Sequence, residues 1–445
     1  MHPKATFQHF ISQPHMAPHA LLQRLSIFEH VVFLKNVDAP IIALAAERYC
    51  VVQNNEPVFY QKKSLNEYER VSGNLNQFIQ IKPSSPTDQK THGAYVGFVG
   101  YDYAAKQQTE VKQHSQPALF LGEFQSFLRY TNEGWLFESS AIDAEFLAIY
   151  IDKLLQENIA TQQFTLTQPI QAHWSVNQYA NAFQQVQDYI VAGDCYQINL
   201  TQAFEAKAQG CLLETAEQFW QLTNAPYSGY LRIKDFELLS CSPELFIDFL
   251  ADRKIVTKPI KGTMPRYSDP VLDEQSKNTL KHSEKDQAEN VMIVDLLRND
   301  LSVYAETGSV KTPKLFNIES FNQVHHMVSE IEATLKPKVE PFDVLMSALP
   351  GGSITGAPKI RAMQIIDELE GAPRGAYCGS MGYFNYDGTG SWNILIRSIQ
   401  KYQSDLSIWA GGGITIASNC EAEYQECFDK VEAMLNLLNT WYMPE

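Results

Sequence analysis

Apolar and polar positions change period several times along the chain. Alternation in GAYVGFVGYDYA, Gly93 to Ala104, predicts a strand with one face turned to a core. In FQSFLRYTNEGWLFESS two aromatic-rich runs flank Asn132, Glu133 and Gly134, which predicts a hairpin. Residues 1–155 therefore read as a β-rich N-terminal region with a few helices. From Leu155 to Trp174 the sequence turns polar, rich in Gln and Thr, and contains Pro169, the signature of a linker or crossover. A helix should follow: Ser175 can cap it, Tyr179, Phe183, Val186 and Ile190 recur at helical spacing, and Gly193 can end it. Beyond it, the strands YQINLTQAF, FELLS and SIWAGGGITI alternate with helices near 283–299, 357–369 and 420–438. No internal repeat or low-complexity tract is evident.

Composition narrows the class. With 445 residues, 44% hydrophobic and 19% charged, the chain is neither disordered nor collagen-like nor a disulfide scaffold. At about 150 residues per domain, the length suits roughly three domains or one large interlocked α/β or α+β unit. The net charge of −16 disfavours nucleic acid and anionic membrane as partners. Seven scattered cysteines without a CxxC pair read as free thiols in a reducing compartment. The N-terminal MHPKATFQHFISQPH breaks up its apolar residues, unlike a signal peptide, and no apolar run approaches the roughly 20 residues of a membrane span. These features together predict a cytoplasmic protein.

Candidate chemistry is concentrated in the C-terminal two-thirds. In EAEYQECFDKVE, Glu423, Glu426 and Lys430 share one helical face, either as a solvated, salt-bridged surface or as part of a hard-cation site. Glu289 lies on the face of Met292, Ile293 and Leu296, where a carboxylate needs a partner, either Lys285 or a metal. In GGSITGAPK, Gly351, Gly352 and Gly356 precede a helix that Pro358 would open at its first position, which offers backbone N–H groups to an anion. Gly411, Gly412 and Gly413 interrupt an apolar strand, as a bulge or where something approaches closely. With Arg397, a charged fork in the apolar run WNILIRSI, they suggest a pocket for a carboxylated small molecule. Lys261 in TKPIKGTMPR is either a surface lysine or a nucleophile. A free lysine is neutral in only about 1 molecule in 2,500 at pH 7, so a nucleophile there must be desolvated or set beside other cations.

Assembled in order, GDCYQINL, SPELF, PIKGT, AENVMIVDLLRND, GGSITGAPK, GSMGYF, IRS, GGGI and EAEYQE resemble the chorismate-utilising enzymes from about Ser175 to Met434, with a weaker N-terminal match around GAYVGFVGYD. The resemblance implies an α+β fold in which two large antiparallel β-sheets pack as a sandwich with helices outside. It makes residues 175–440 the chorismate-binding catalytic region and turns the linker into a crossover within one unit. Gln197 stands where water-activating relatives carry a lysine. Lys261 stands where anthranilate synthases usually have alanine, and it resembles the signature of the aminodeoxychorismate synthase component I branch.

That branch implies amination of chorismate at C4. Glu289 and Glu426 would ligate Mg²⁺, with Glu423 in support. Lys261 would attack C2 while Glu244, in SPELF, protonates the leaving hydroxyl, and the adjacent Pro243, Leu245 and Phe246 favour its protonated form by desolvation. Arg397 and Tyr383 would hold the enolpyruvyl carboxylate, and Lys430 with the backbone of Gly411 to Gly413 the ring carboxylate. Thr263 and His326 would stand on the substrate side, although a lone histidine is more often structural. No glutaminase motif is evident, and Cys378 in YCGSMG reads as core packing. The resemblance therefore implies a separate glutamine amidotransferase subunit that supplies ammonia. Some relatives hold tryptophan near a motif matching Pro226, Tyr227 and Ser228, with an N-terminal counterpart sought here around AAERYC. The competing readings are anthranilate synthase component I and an inactive chorismate-binding regulatory homologue.

Overall fold

The run HVVFL at 30–34 is apolar at every position because both of its faces are covered. Val31 and Phe33 join a core that reaches the helices, whereas Val32 and Leu34 join an inner core shared by two sheets. The computed structural model describes residues 6–36, 39–81, 93–157, 162–320 and 324–444. The first five residues of the N-terminal segment and positions 158–161 of the expected linker lie outside that range. Among the described residues the sheets have 13 and 12 strands, and their ladders are antiparallel. Across the inner core Phe98 of one sheet stacks on Phe236 of the other, with ring centroids 5.4 Å apart. This is the α+β sandwich expected from the motifs.

Each sheet draws strands from both sides of the 155–174 stretch. In the larger one, His30–Leu34 pairs with Tyr227–Ile233, followed by Phe236–Ser242, Ser398–Tyr402, Asp405–Ile414 and Gln197–Gln209. In the other, Ala94–Val99 pairs with Ser380–Asn385, followed by Gly390–Asn393, Leu245–Phe249, Lys254–Thr257, Val324–Thr334 and Ile260–Pro265. Within the crossover, Thr165–Leu166 and Gln171–Ala172 pair with the Gln197–Gln209 strand.

Local chemistry set several elements as expected. The Val176–Ala192 helix begins with a capping box, in which Ser175 accepts from the Gln178 amide and the Gln178 side chain accepts from the Ser175 amide. It ends at Gly193, whose φ of 84° suits glycine. The strands Ser126–Thr131 and Gly134–Ser139 form the expected hairpin.

Three expectations need correction. The alternating run from Gly93 is a strand only over Ala94–Val99, and Tyr101–Lys106 is a helix that buries Tyr101, Ala104 and Ala105 at helical spacing. Its alternating tyrosines had mimicked a strand. Pro358 is the cap of the Lys359–Glu370 helix, one position before its start. The helix expected over 420–438 is two, Cys420–Asp429 and Glu432–Asn439. They break at Val431, whose φ of −131° and ψ of 0° leave the helical region.

Candidate active site

The glycine strand forms one wall of the site. In Asp405–Ile414, Gly411, Gly412 and Gly413 lie opposite Thr201, Leu200 and Asn199. A Cβ on Gly412 would lie 2.8 Å from Glu423 Oε2 and 3.0 Å from Glu426 Oε1, so the bare backbone is what lets the Cys420–Asp429 helix bring two carboxylates over it. A Cβ on Gly413 would lie 2.3 Å from Gln197 Nε2. Gln197 is buried, and among the described residues neither polar atom of its amide has a hydrogen-bond partner. Sequence reasoning used Gln197 only as the absence of a lysine; the buried stretch of this strand also carries the amides of Asn199 and Gln202, so nothing in the sequence singles Gln197 out.

Lys430 caps the Cys420–Asp429 helix in helical geometry, four residues after Glu426, and reaches the strand from the same face. Its ammonium donates to the Gly411 carbonyl at 2.7 Å and pairs with Glu426 at 2.6 Å. Burial alone would push the Glu426 pKa up, but the ammoniums of Lys430, Lys285 and Lys261 together hold the carboxyl below its ordinary value. Glu423 is 4% exposed, accepts from Ser418 Oγ at 2.7 Å and is raised by burial, so it does not belong to a solvated face. Glu289 sits on the Glu284–Ser302 helix at the edge of a buried stripe made by Asn290, Ile293, Val294 and Leu297. Its carboxylate lies 4.0 Å from Lys285 and is raised by burial, against the pull of Lys261.

Lys261 comes from a strand of the smaller sheet and Glu244 from the link between the two sheets. Lys261, on Ile260–Pro265, is partly buried and donates to the Ser353 carbonyl at 3.5 Å. Burial, and then the charge of Lys430, lowers its pKa against the opposing carboxylates of Glu289, Glu244 and Glu426. Glu244 joins Phe236–Ser242 to Leu245–Phe249, is 8% exposed and accepts from the Ile260 amide at 3.5 Å. Burial pushes its pKa up to about 7, against Lys261, Arg397 and Lys430.

Arg397 is not on a strand. It occupies the bend before Ser398–Tyr402 with φ of 50°, and its guanidinium has no hydrogen bond or ion pair among the described residues. Burial lowers its pKa. His326, on Val324–Thr334, bonds Thr263 Oγ1 through Nδ1 at 2.8 Å, and burial together with Arg397 lowers it to about 4, leaving it neutral at pH 7. Tyr383 is partly buried on Ser380–Asn385, opposite Ser391, and packs against the inner core.

The segment Pro226, Tyr227 and Ser228 lies beside the end of an N-terminal strand. Because His30–Leu34 pairs with Tyr227–Ile233, Lys35 meets it. The Lys35 ammonium donates to the Ala225 carbonyl at 3.0 Å and to Asn224 Oδ1 at 3.3 Å, while Ser228 Oγ donates to the Ala225 carbonyl at 2.9 Å.

Among the described residues, no three acidic, histidine or cysteine side chains stand close enough to cage a metal ion. The donor set nevertheless suits a hard cation, since Glu423 and Glu426 converge on Gly412 and Glu289 senses the charge of Glu426. The site as a whole combines hard anionic donors, a lysine with a lowered pKa, a carboxylic acid that titrates near neutrality and an arginine without a protein partner.

Residues 30–436 match the family model for chorismate binding enzyme. Aminodeoxychorismate synthase component 1 of Salmonella typhimurium is 42% identical over 81% of this chain and 80% of its own length. The Escherichia coli protein of the same name is 49% identical over 62% of this chain and 61% of its own. Among solved structures, anthranilate synthase component I from Streptococcus pneumoniae superposes with a TM-score of 0.76 at 25% identity, covering 89% of this chain and 91% of that one.

Proposed function

The chain belongs to the family of chorismate binding enzymes, and from that premise we propose that it aminates chorismate at C4 with ammonia to give 4-amino-4-deoxychorismate. The observation that carries this reading is Lys261, partly buried beside the Ser353 carbonyl and among the charges of Glu244, Glu289, Glu426 and Lys430. Burial and a neighbouring cation are the two means by which a protein frees a lysine amine for attack.

In this reading Lys261 Nζ bonds to C2, the ring double bonds shift and the C4–O bond breaks. Glu244 gives its proton to the departing oxygen, which leaves as water. Ammonia then adds at C4, the double bonds shift back and the C2–N bond to Lys261 breaks. The surplus proton on the new amine passes to Glu244. Arg397 receives the enolpyruvyl carboxylate, while Lys430 and the Gly411 to Gly413 backbone receive the ring carboxylate. Mg²⁺ held by Glu289 and Glu426, with Glu423 beside them, would neutralise charge on the ring carboxylate. Ammonia would come from a separate glutamine amidotransferase subunit, a reading supported by the word "component" in the bacterial relatives' names. The free state of all seven cysteines supports a cytoplasmic setting, and no helix among the described residues is long and apolar enough to cross a membrane.

Incubation with chorismate, Mg²⁺ and ammonium, coupled to a lyase that releases 4-aminobenzoate, tests the reading. Wild type should form 4-aminobenzoate only with the lyase present. Lys261→Arg should not, because an always-protonated guanidinium cannot attack carbon. Near-wild-type turnover by the Arg variant would reduce Lys261 to an electrostatic role. Anthranilate and pyruvate from wild type without lyase would instead favour anthranilate synthesis, the activity named for the S. pneumoniae structure.

A further inference from the structure

Behind the site lies a charged side chain with no place in this chemistry. Arg374 is 1% exposed, and each of its guanidinium nitrogens is engaged. Nε and Nη2 form a fork on Glu370 at 2.8 and 2.6 Å, Nη2 also donates to the Asn199 carbonyl at 2.7 Å, and Nη1 donates to the Ile354 carbonyl at 2.9 Å. Glu370 in turn accepts from the Thr201 amide at 2.9 Å and the Thr201 hydroxyl at 2.8 Å.

The two carbonyls that Arg374 grips belong to neighbouring segments of the site, the strand that backs the glycines and the turn that leads to Gly356–Ala357. Asn199 and Thr201 lie opposite Gly413 and Gly411, and Gly411 is the residue whose carbonyl Lys430 holds. Ile354 follows Ser353, whose carbonyl receives the Lys261 ammonium, and the Asn199 side chain also donates to Ile354 at 3.1 Å. One planar fork therefore ties the glycine wall to the turn against which the lysine rests.

We propose that Arg374, oriented by Glu370, is a positioning residue that sets Lys261 relative to the Gly411 to Gly413 wall. It touches no reacting atom. The inference rests on Lys261 acting as the nucleophile. A displacement of about 1 Å between reacting groups costs on the order of a hundredfold in rate, so a loosened clamp should be read in turnover before it is read in binding.

The test measures kcat and KM for chorismate, with the folded fraction followed by circular dichroism, in Arg374→Lys, Glu370→Gln and the milder Thr201→Val. A lysine keeps the charge but cannot span both carbonyls and the carboxylate. Arg374→Lys and Glu370→Gln should lower kcat per folded molecule by about tenfold or more with KM within about twofold of wild type. Thr201→Val, which keeps the backbone bond, should lower kcat by a few-fold and carries the test alone if the other two do not fold. Unchanged kcat per folded molecule in every variant that folds would overturn the proposal and leave Arg374 as a purely structural residue. If wild type itself forms no 4-amino-4-deoxychorismate, the reading of the reaction fails instead, and the two failures are distinct.

Discussion

Two groups of buried charges lie back to back in this molecule and are treated in opposite ways. Around Arg374 the hydrogen-bonding groups are paired: Glu370 meets it with both oxygens, and Asp102, whose carboxyl burial pushes up to about 7, accepts from the Arg374 and Gly375 amides at 3.0 Å each. Around Lys261 they are not. The Arg397 guanidinium and the Gln197 side-chain amide have no hydrogen-bond partner among the described residues, and Glu244 and Lys261 each make a long bond of 3.5 Å. The contrast separates architecture from chemistry. Saturated charges lock strands and turns in place, whereas charges short of partners are those on which a substrate can act.

The strongest way to break this comparison is to remove a site carboxylate. Glu289→Gln and Glu426→Gln should each cut turnover by on the order of 1,000-fold while far-UV circular dichroism stays native, because the amide keeps the packing but lowers the anionic charge offered to Mg²⁺. Mg²⁺-dependent turnover near wild type in either variant would remove these residues from the site.

The saturated network should respond in stability. Arg374→Met strands a buried Glu370 carboxylate and should cost about 3–5 kcal/mol in urea denaturation, with part of the loss recovered in Arg374→Met/Glu370→Leu. A single variant as stable as wild type would mean that the network locks nothing.

The smallest effect has the opposite sign. With its folded pKa raised to about 7, Glu244 binds its proton more tightly in the folded than in the unfolded chain. Its contribution to stability is therefore fully present at low pH and declines as pH rises from the ordinary carboxylate range to about 7. At pH 8 the folded protein carries an ionised, buried carboxylate, so Glu244→Gln should raise stability by about 1–3 kcal/mol there and by less at pH 5, while abolishing turnover. A lower melting temperature for this variant at pH 8 would show that the Glu244 charge is compensated in the fold.

How much of this was legible in the sequence depended on whether the controlling interaction was local. The Ser175 helix cap and the hairpin at Asn132 and Glu133 are written within a few residues, and both formed where expected. The two-residue alternation through Tyr101 and Tyr103 was misleading because helical and strand spacing coincide over so short a stretch. Motif order brought Lys261, Glu244, Glu289, Glu426 and Arg397 into one reading. It could not show that Arg397 sits in a bend at positive φ, nor that Lys35 meets the Asn224 to Ser228 segment, since long-range strand pairing sets both. Arg374 escaped notice for the same reason. Its neighbour four residues back, Glu370, suggests an ordinary helical ion pair, and only the fold reveals the two distant carbonyls it also holds.

The exchange of strands across the crossover also governs how the chain can be made. As Ala94–Val99 leaves the ribosome, its partner Ser380–Asn385 has not been translated. At about 5–20 residues per second, the roughly 280 residues between them take about 14–56 s to synthesise. Throughout that interval an apolar strand has one edge open, as does His30–Leu34 while it waits for Tyr227–Ile233. Neither half can close its sheets alone, so the nascent chain depends on late, long-range pairing and on whatever shields those edges until the last strands arrive.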